Sequence, residues 1–175
     1  MILLGKVGIA RTLLFKSKNL IIKYCFKLTK RNNTHEMEIK IMASAAVVNR
    51  NNEILILRRS VKEKFLAGYW TIVGGKYEDS DKSIEGAVFR EVLEETGLDV
   101  NIIKPINVQE FTRDDKPGVR AVEITYLCST DDDQVKLSPE EHDTFRWINN
   151  SQVAELDLIT DLTKQKLTDI FKVIN

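Results

Sequence analysis

Six consecutive residues, "REVLEE" from Arg90 to Glu95, put three carboxylates and one guanidinium into little more than a helical turn. At about 100° per residue, Glu91, Glu94 and Glu95 fall on one face, within an arc of roughly 100°. That arc also carries Ile84, Ala87 and Val88, so the acids continue a packing face. Like charges three and four apart cost a few tenths of a kcal/mol each when exposed, and more when buried. Arg90 is expected to offset only one of them, and no run of lysines follows. An all-oxygen cluster of this kind suits Mg²⁺ or Mn²⁺, with water and phosphate oxygens completing the shell. The opposing interpretation is a solvated acidic stripe. What separates the two is context, because "YWTIV", Gly74, Gly75 and a loop precede the acids.

A helix over residues 84–96 would have to present that face. Ser83 is placed to cap its start and Gly97 to end it. Phe89, Val92 and Leu93 form a second apolar arc on the other side, which predicts a helix sandwiched between two layers. Upstream, "IMASAAVV", the turn "NRNN" and "EILILRR" predict a β-hairpin over 41–59, and "YWTIV" a short strand that stops at the glycines. Downstream, "LDVNIIKPINVQEFTR" and "VRAVEITYLCST" read as two long strands joined by "DDKPG", "TFRWI" as another, and 150–174 as one or two closing helices. Strands and helices interleave without a repeated unit, which points to an α/β (α+β sandwich) class with a mixed sheet packed between helices.

Composition bounds the rest. The chain of 175 residues is 43% hydrophobic and 30% charged, and no apolar run approaches the roughly 20 residues of a membrane-spanning helix. Cys25 and Cys128 are far apart, and His35 and His142 are isolated, so neither a disulfide framework nor a zinc knuckle is expected and any metal should be oxygen-liganded. The zero net charge is divided unevenly. Residues 1–35 carry eight Lys or Arg and no acid, which leaves 18 basic residues against 26 acidic ones beyond them. An acidic body is a poor nucleic-acid binder, so no nucleic-acid partner is expected. Residues 1–36 therefore read as a basic extension and 37–175 as the folded domain. The extension fits an organellar transit peptide, an amphipathic membrane-surface or partner-binding helix, or an appendage without a folded role. A cytoplasmic location is the expectation, organellar targeting the alternative, and a homodimer remains open.

At this point the residues resemble the Nudix box, G-x5-E-x7-R-E-U-x-E-E-x-G-U with U a bulky aliphatic. Arg90, Glu91, Val92, Glu94, Glu95, Gly97 and Leu98 meet its second half without a gap. The first half departs from it. Counting forward from Gly75 puts Asp81 in the glutamate slot, whereas counting back from Arg90 puts Lys82 there, a difference of one loop residue; Asp79 is a further substitute. "ILILRRS", "GYWTIVGGK" and "SPEEHDTFRWI" are similar to further segments of the family, while Val73 replaces the usual proline.

The resemblance implies a pyrophosphohydrolase that cleaves a nucleoside diphosphate linked to another moiety by water attack on phosphorus, with Mg²⁺ or Mn²⁺ as cofactor. It implies Glu91, Glu94 and Glu95 as metal ligands, joined by a carboxylate of the Glu140–Glu141 loop, for which Glu141 is the choice. The general base is then Glu91 or that loop carboxylate, and Arg90 orients Glu91. Arg58 or Arg59 would meet phosphate oxygens, with a solvated strand end as the plain alternative. Trp70, Phe65 or Tyr69 would stack on a base, with a core position as the plain alternative for an aromatic flanking a strand; Gly74 and Gly75 would line the substrate, and Trp147 would be core. Lys76 reads as solvated, and Glu110 and Glu123 as strand acids of undecided direction. Competing functions are a silent binding or regulatory module on the same fold, and isopentenyl diphosphate isomerisation, for which Cys128 is not matched in position.

Overall fold

The computed structural model describes residues 38–112 and 118–174. The basic extension, with His35 and Cys25, and residues 113–117, which include most of the expected turn, lie outside the described residues. Seven strands form one mixed sheet: β1 Glu38–Val48, β2 Ile54–Arg59, β3 Trp70–Thr71, β4 Val73–Lys76, β5 Asn101–Thr112, β6 Val119–Ser129 and β7 His142–Ile148. Helix α1 spans Ile84–Thr96, a 3-10 turn spans Asn150–Glu155, and α2 spans Asp161–Ile174. The order across the sheet is β3-β2-β1-β6-β5, with β4 added to β1 and β7 to β2. All pairings are antiparallel except β1 with β6, which run parallel from Glu38↔Val119 to Val48↔Ser129.

Alternation sorts the side chains onto two faces. Ala43, Ala45 and Val47 of β1, Leu55 and Leu57 of β2, and Ile124, Tyr126 and Cys128 of β6 meet Ala87, Val88 and Val92 of α1. Ala46, Ile54, Ile56 and Leu127 face the other way, against Val153 and against Leu167, Ile170 and Phe171 of α2. With both faces covered, the central strands are almost continuously apolar. Trp147 lies partly buried against the first cluster, as expected.

Three expectations change. β1 and β2 do form a hairpin around the 49–53 turn, but they share only the Val48↔Ile54 pairing, because β4 occupies the edge of β1 from Met42 to Ala45. The glycines do not end a strand; the break falls at Ile72, and Gly74 and Gly75 sit inside β4. Nor is α1 sandwiched. Phe89 and Leu93 are 47% and 57% exposed, since the sheet takes only the arc around Val88 and Glu95.

Candidate active site

Local signals fix both ends of α1. The Ser83 hydroxyl accepts from Gly86 N at 3.0 Å, and Gly97, at φ 68°, turns its N–H back to Leu93 O. The turn that enters the helix is held by Asp81. Its carboxylate accepts from Glu78 N at 2.8 Å and from Arg90 Nε and Nη2 at 2.9 and 3.0 Å, and Tyr77 Oη donates to Asp81 O. Asp81 therefore fills the acidic slot of the box, and Lys82 is exposed. The guanidinium and the Glu78 N–H hold the Asp81 carboxyl below its usual range.

Arg90 does more than neutralise one acid. Its Nη1 donates to Glu91 Oε1 at 2.7 Å and to Glu94 Oε2 at 3.1 Å, and its Nη2 also reaches Lys76 O at 3.0 Å. One fork thus ties the helix to the loop and to the end of β4. The expectation that Arg90 offsets only one acid is corrected. The Lys76 side chain is exposed, as expected.

The glycines make room for the acids. A Cβ on Gly75 would lie 2.3–2.5 Å from the Glu91 carboxylate, and one on Gly74 would lie 2.5 Å from Ala43 O. Gly74, at φ 151°, donates its N–H to Glu95 Oε2 at 3.1 Å. Both residues therefore place carboxylates. Glu91 is 9% exposed, and burial, partly countered by Arg90, pushes its carboxyl up to about 7.

The late loop is stitched to the end of α1. Lys136 N donates to Thr96 O and Ser138 N to Glu95 O, and the turn closes with His142 N on Ser138 O at 3.0 Å. Glu141 and His142 are thereby carried to Glu95, and donor atoms of the three lie within 4.8 Å of one another. Both loop acids are exposed, and of the two only Glu141 belongs to this group. Burial and the Glu95 charge raise the Glu141 carboxyl. His142 is the residue that the sequence did not reveal. It has no ligand spacing to any neighbour, yet its Nε2 is 3.2 Å from Glu95 Oε1.

Other expected site residues lie elsewhere. Trp70 is 1% exposed in the cluster beneath α2, its Nε1 donating to Asp157 and the Arg146 guanidinium over its ring, so the expected stacking platform is a core residue. Arg58 is committed to Gly68 O and Arg59 to Phe65 O and Glu63, which makes them braces of the 60–69 loop where phosphate contacts were expected. Phe65 and Tyr69 are half-buried in that loop. Glu123 pairs with Lys166 of α2 at 2.6 Å and Glu110 with Arg120 at 2.9 Å, so neither acid joins the group. Cys128 is buried in the core, and burial pushes its thiol up to about 12, which offers no thiolate for isomerase chemistry.

The donor set fits a divalent cation. Two carboxyls here are made more basic by burial without a full counter-charge, and hard oxygen donors are what Mg²⁺ or Mn²⁺ takes.

The NUDIX domain profile matches residues 40–168. A MutT protein from Methanosarcina mazei Go1 shares 28% identity at a TM-score of 0.65, over 79% of this chain and 94% of that one. A MutT NUDIX hydrolase from Burkholderia pseudomallei shares 26% at 0.63, over 76% and 98%. A C. elegans Ap4A hydrolase is 17% identical at 0.62, over 77% and 97%, and shows the fold alone. No curated protein matches the chain.

Proposed function

The chain belongs to the Nudix family and is a Nudix hydrolase, and from that premise we propose that it is a divalent-cation-dependent pyrophosphohydrolase acting on a nucleoside diphosphate linked to a further group. Nucleoside triphosphates, ADP-ribose-like compounds and nucleotide-sugars fall within this class. The observation that supports the reading is that Glu95 of the helix meets Glu141 of the late loop, while Glu91 and Glu94 of the same helix are gathered by Arg90 beside Gly75.

Such substrates carry several negative charges that repel an attacking oxygen. Glu91, Glu94, Glu95 and Glu141 would hold the cation, which when bound neutralises phosphate charge and acidifies water. The chain's own residues do the rest. Asp81 and Lys76 O fix Arg90, and Arg90 fixes the Glu91 carboxylate at 2.7 Å. Glu91 or Glu141 takes the proton of the attacking water, both being made more basic by burial. Gly74 N–H orients Glu95 from behind. Residues 37–175 form the catalytic unit in this reading, and the compartment follows whatever the basic extension specifies.

The test is a panel of dNTPs, modified dNTPs, ADP-ribose, dinucleoside polyphosphates and nucleotide-sugars with Mg²⁺ or Mn²⁺, scored for products cleaved within the pyrophosphate. Turnover on at least one compound, reduced by orders of magnitude in Glu94→Gln, is the expected result. A folded protein silent on the whole panel would instead support the binding module.

A further inference from the structure

His142 is 2% exposed, and neither of its ring nitrogens has a hydrogen-bond partner among the described residues. Buried polar atoms are nearly always paired, so two orphaned nitrogens on one ring require an explanation. Nε2 lies 3.2 Å from Glu95 Oε1, but the contact lacks hydrogen-bond alignment. Glu95 Oε2 is already taken by Gly74 N–H, which leaves Oε1 on the histidine side. The third member is Glu141, and donor atoms of Glu95, Glu141 and His142 all fall within 4.8 Å of one another.

These spacings are those of ligands around an ion. Two donors on adjacent corners of an octahedron, each about 2.1–2.2 Å from the cation, are about 3.0–3.1 Å apart, and opposite donors are about 4.2–4.4 Å apart. The ring is also held in place, because His142 N bonds Ser138 O while Ser138 N bonds Glu95 O. An ordinary ion pair would align the N–H with the carboxylate, and a plain packing role would leave both nitrogens unsatisfied.

We propose that His142 Nε2 is a nitrogen ligand of the cation held by Glu95 and Glu141, making this a mixed nitrogen–oxygen site that prefers a first-row transition metal such as Mn²⁺ or Co²⁺ to Mg²⁺. The inference rests on the assignment of Glu95 and Glu141 as cation ligands. Imidazole suits transition metals, whereas Mg²⁺ keeps to oxygen and holds its waters. For Nε2 to bind metal the ring must be neutral, with its proton on Nδ1.

The test is Mn²⁺ alone on the full-length protein, read by pulsed electron paramagnetic resonance and by equilibrium binding. Nitrogen modulation from a coordinated imidazole is expected in the wild type and in His35→Gln, and is lost in His142→Gln. That variant should bind Mn²⁺ at least tenfold more weakly, while Mg²⁺ affinity changes less than about threefold. Should His142→Gln fail to fold, ¹⁵N-histidine labelling of His35→Gln decides, by converting the ¹⁴N pattern to a ¹⁵N one. Bound Mn²⁺ without nitrogen modulation, or modulation that survives His142→Gln, overturns the histidine ligand and leaves the carboxylate site standing. No Mn²⁺ or Mg²⁺ binding at all overturns both.

Discussion

Replacing Glu91 by Gln should stabilise the metal-free protein while removing its activity. Burial raises the Glu91 carboxyl from 4.5 to about 7, with Arg90 opposing and Glu95 and Glu94 adding to the rise. A carboxyl raised in the fold costs nothing below the unfolded value, because it is protonated in both states. The cost grows as pH climbs from 4.5 to about 7 and is complete above that. The full difference is about 3 kcal/mol, which we reduce to about 2 kcal/mol for partial access to solvent. Gln keeps the shape and removes the charge, and Arg90 retains Asp81 and Glu94. Urea or thermal unfolding in EDTA, compared at pH 4.5 and pH 8, measures this. At pH 8 the variant should be about 2 kcal/mol more stable, or about 4–8 °C in Tm for a chain of this size, and the gap should close toward pH 4.5. Turnover with added metal should fall at least a hundredfold. A variant no more stable than wild type at pH 8, or a gap independent of pH, would refute the claim that this carboxylate is held at an energetic cost.

The two glycines separate site from scaffold. Gly75→Ala meets only the flexible end of Glu91, so it should cut turnover at least tenfold with little change in Tm, whereas Gly74→Ala meets Ala43 O and Ser44 at an unfavourable φ and should cost about 2–4 kcal/mol in a denaturation curve. Asp81→Asn should lower Tm and reduce turnover at least tenfold by releasing Arg90, while Lys82→Ala leaves both unchanged, as steady-state rates and melts on the pair would show. Lys166→Met should destabilise by about 3–5 kcal/mol, because it strands the buried Glu123 carboxylate, and Glu123→Gln combined with it should recover much of the loss in the same melt.

What could be read from the chain was what neighbours in sequence decide. Ser83 and Gly97 announced α1 because caps act within one turn, and the register of Arg90 to Glu95 on that helix followed from its period. What could not be read depends on which strand lies beside which. Trp70 read as a candidate for base stacking, and it is α2 and Asp157 that place it in the core. His142 looked solitary because its partner lies 47 positions upstream, as the numbering of Glu95 shows, and only the clamp of the 136–138 segment onto the end of α1 joins them. Phe89 and Leu93 misled because an apolar arc states only that a surface is greasy, not that a second layer exists to cover it.

The parallel β1–β6 seam has a kinetic consequence. Its two strands are separated by the whole of residues 49–118, so the middle of the sheet cannot be zipped until α1 and β5 have emerged from the ribosome. Closing so long a segment is slow relative to hairpin formation. The nascent first strand, with Ala45 to Val48 apolar on both sides, must wait unpaired along that edge. Folding speed, and susceptibility to aggregation during synthesis, should therefore be governed by the arrival of Val119–Ser129 rather than by assembly of the acidic helix.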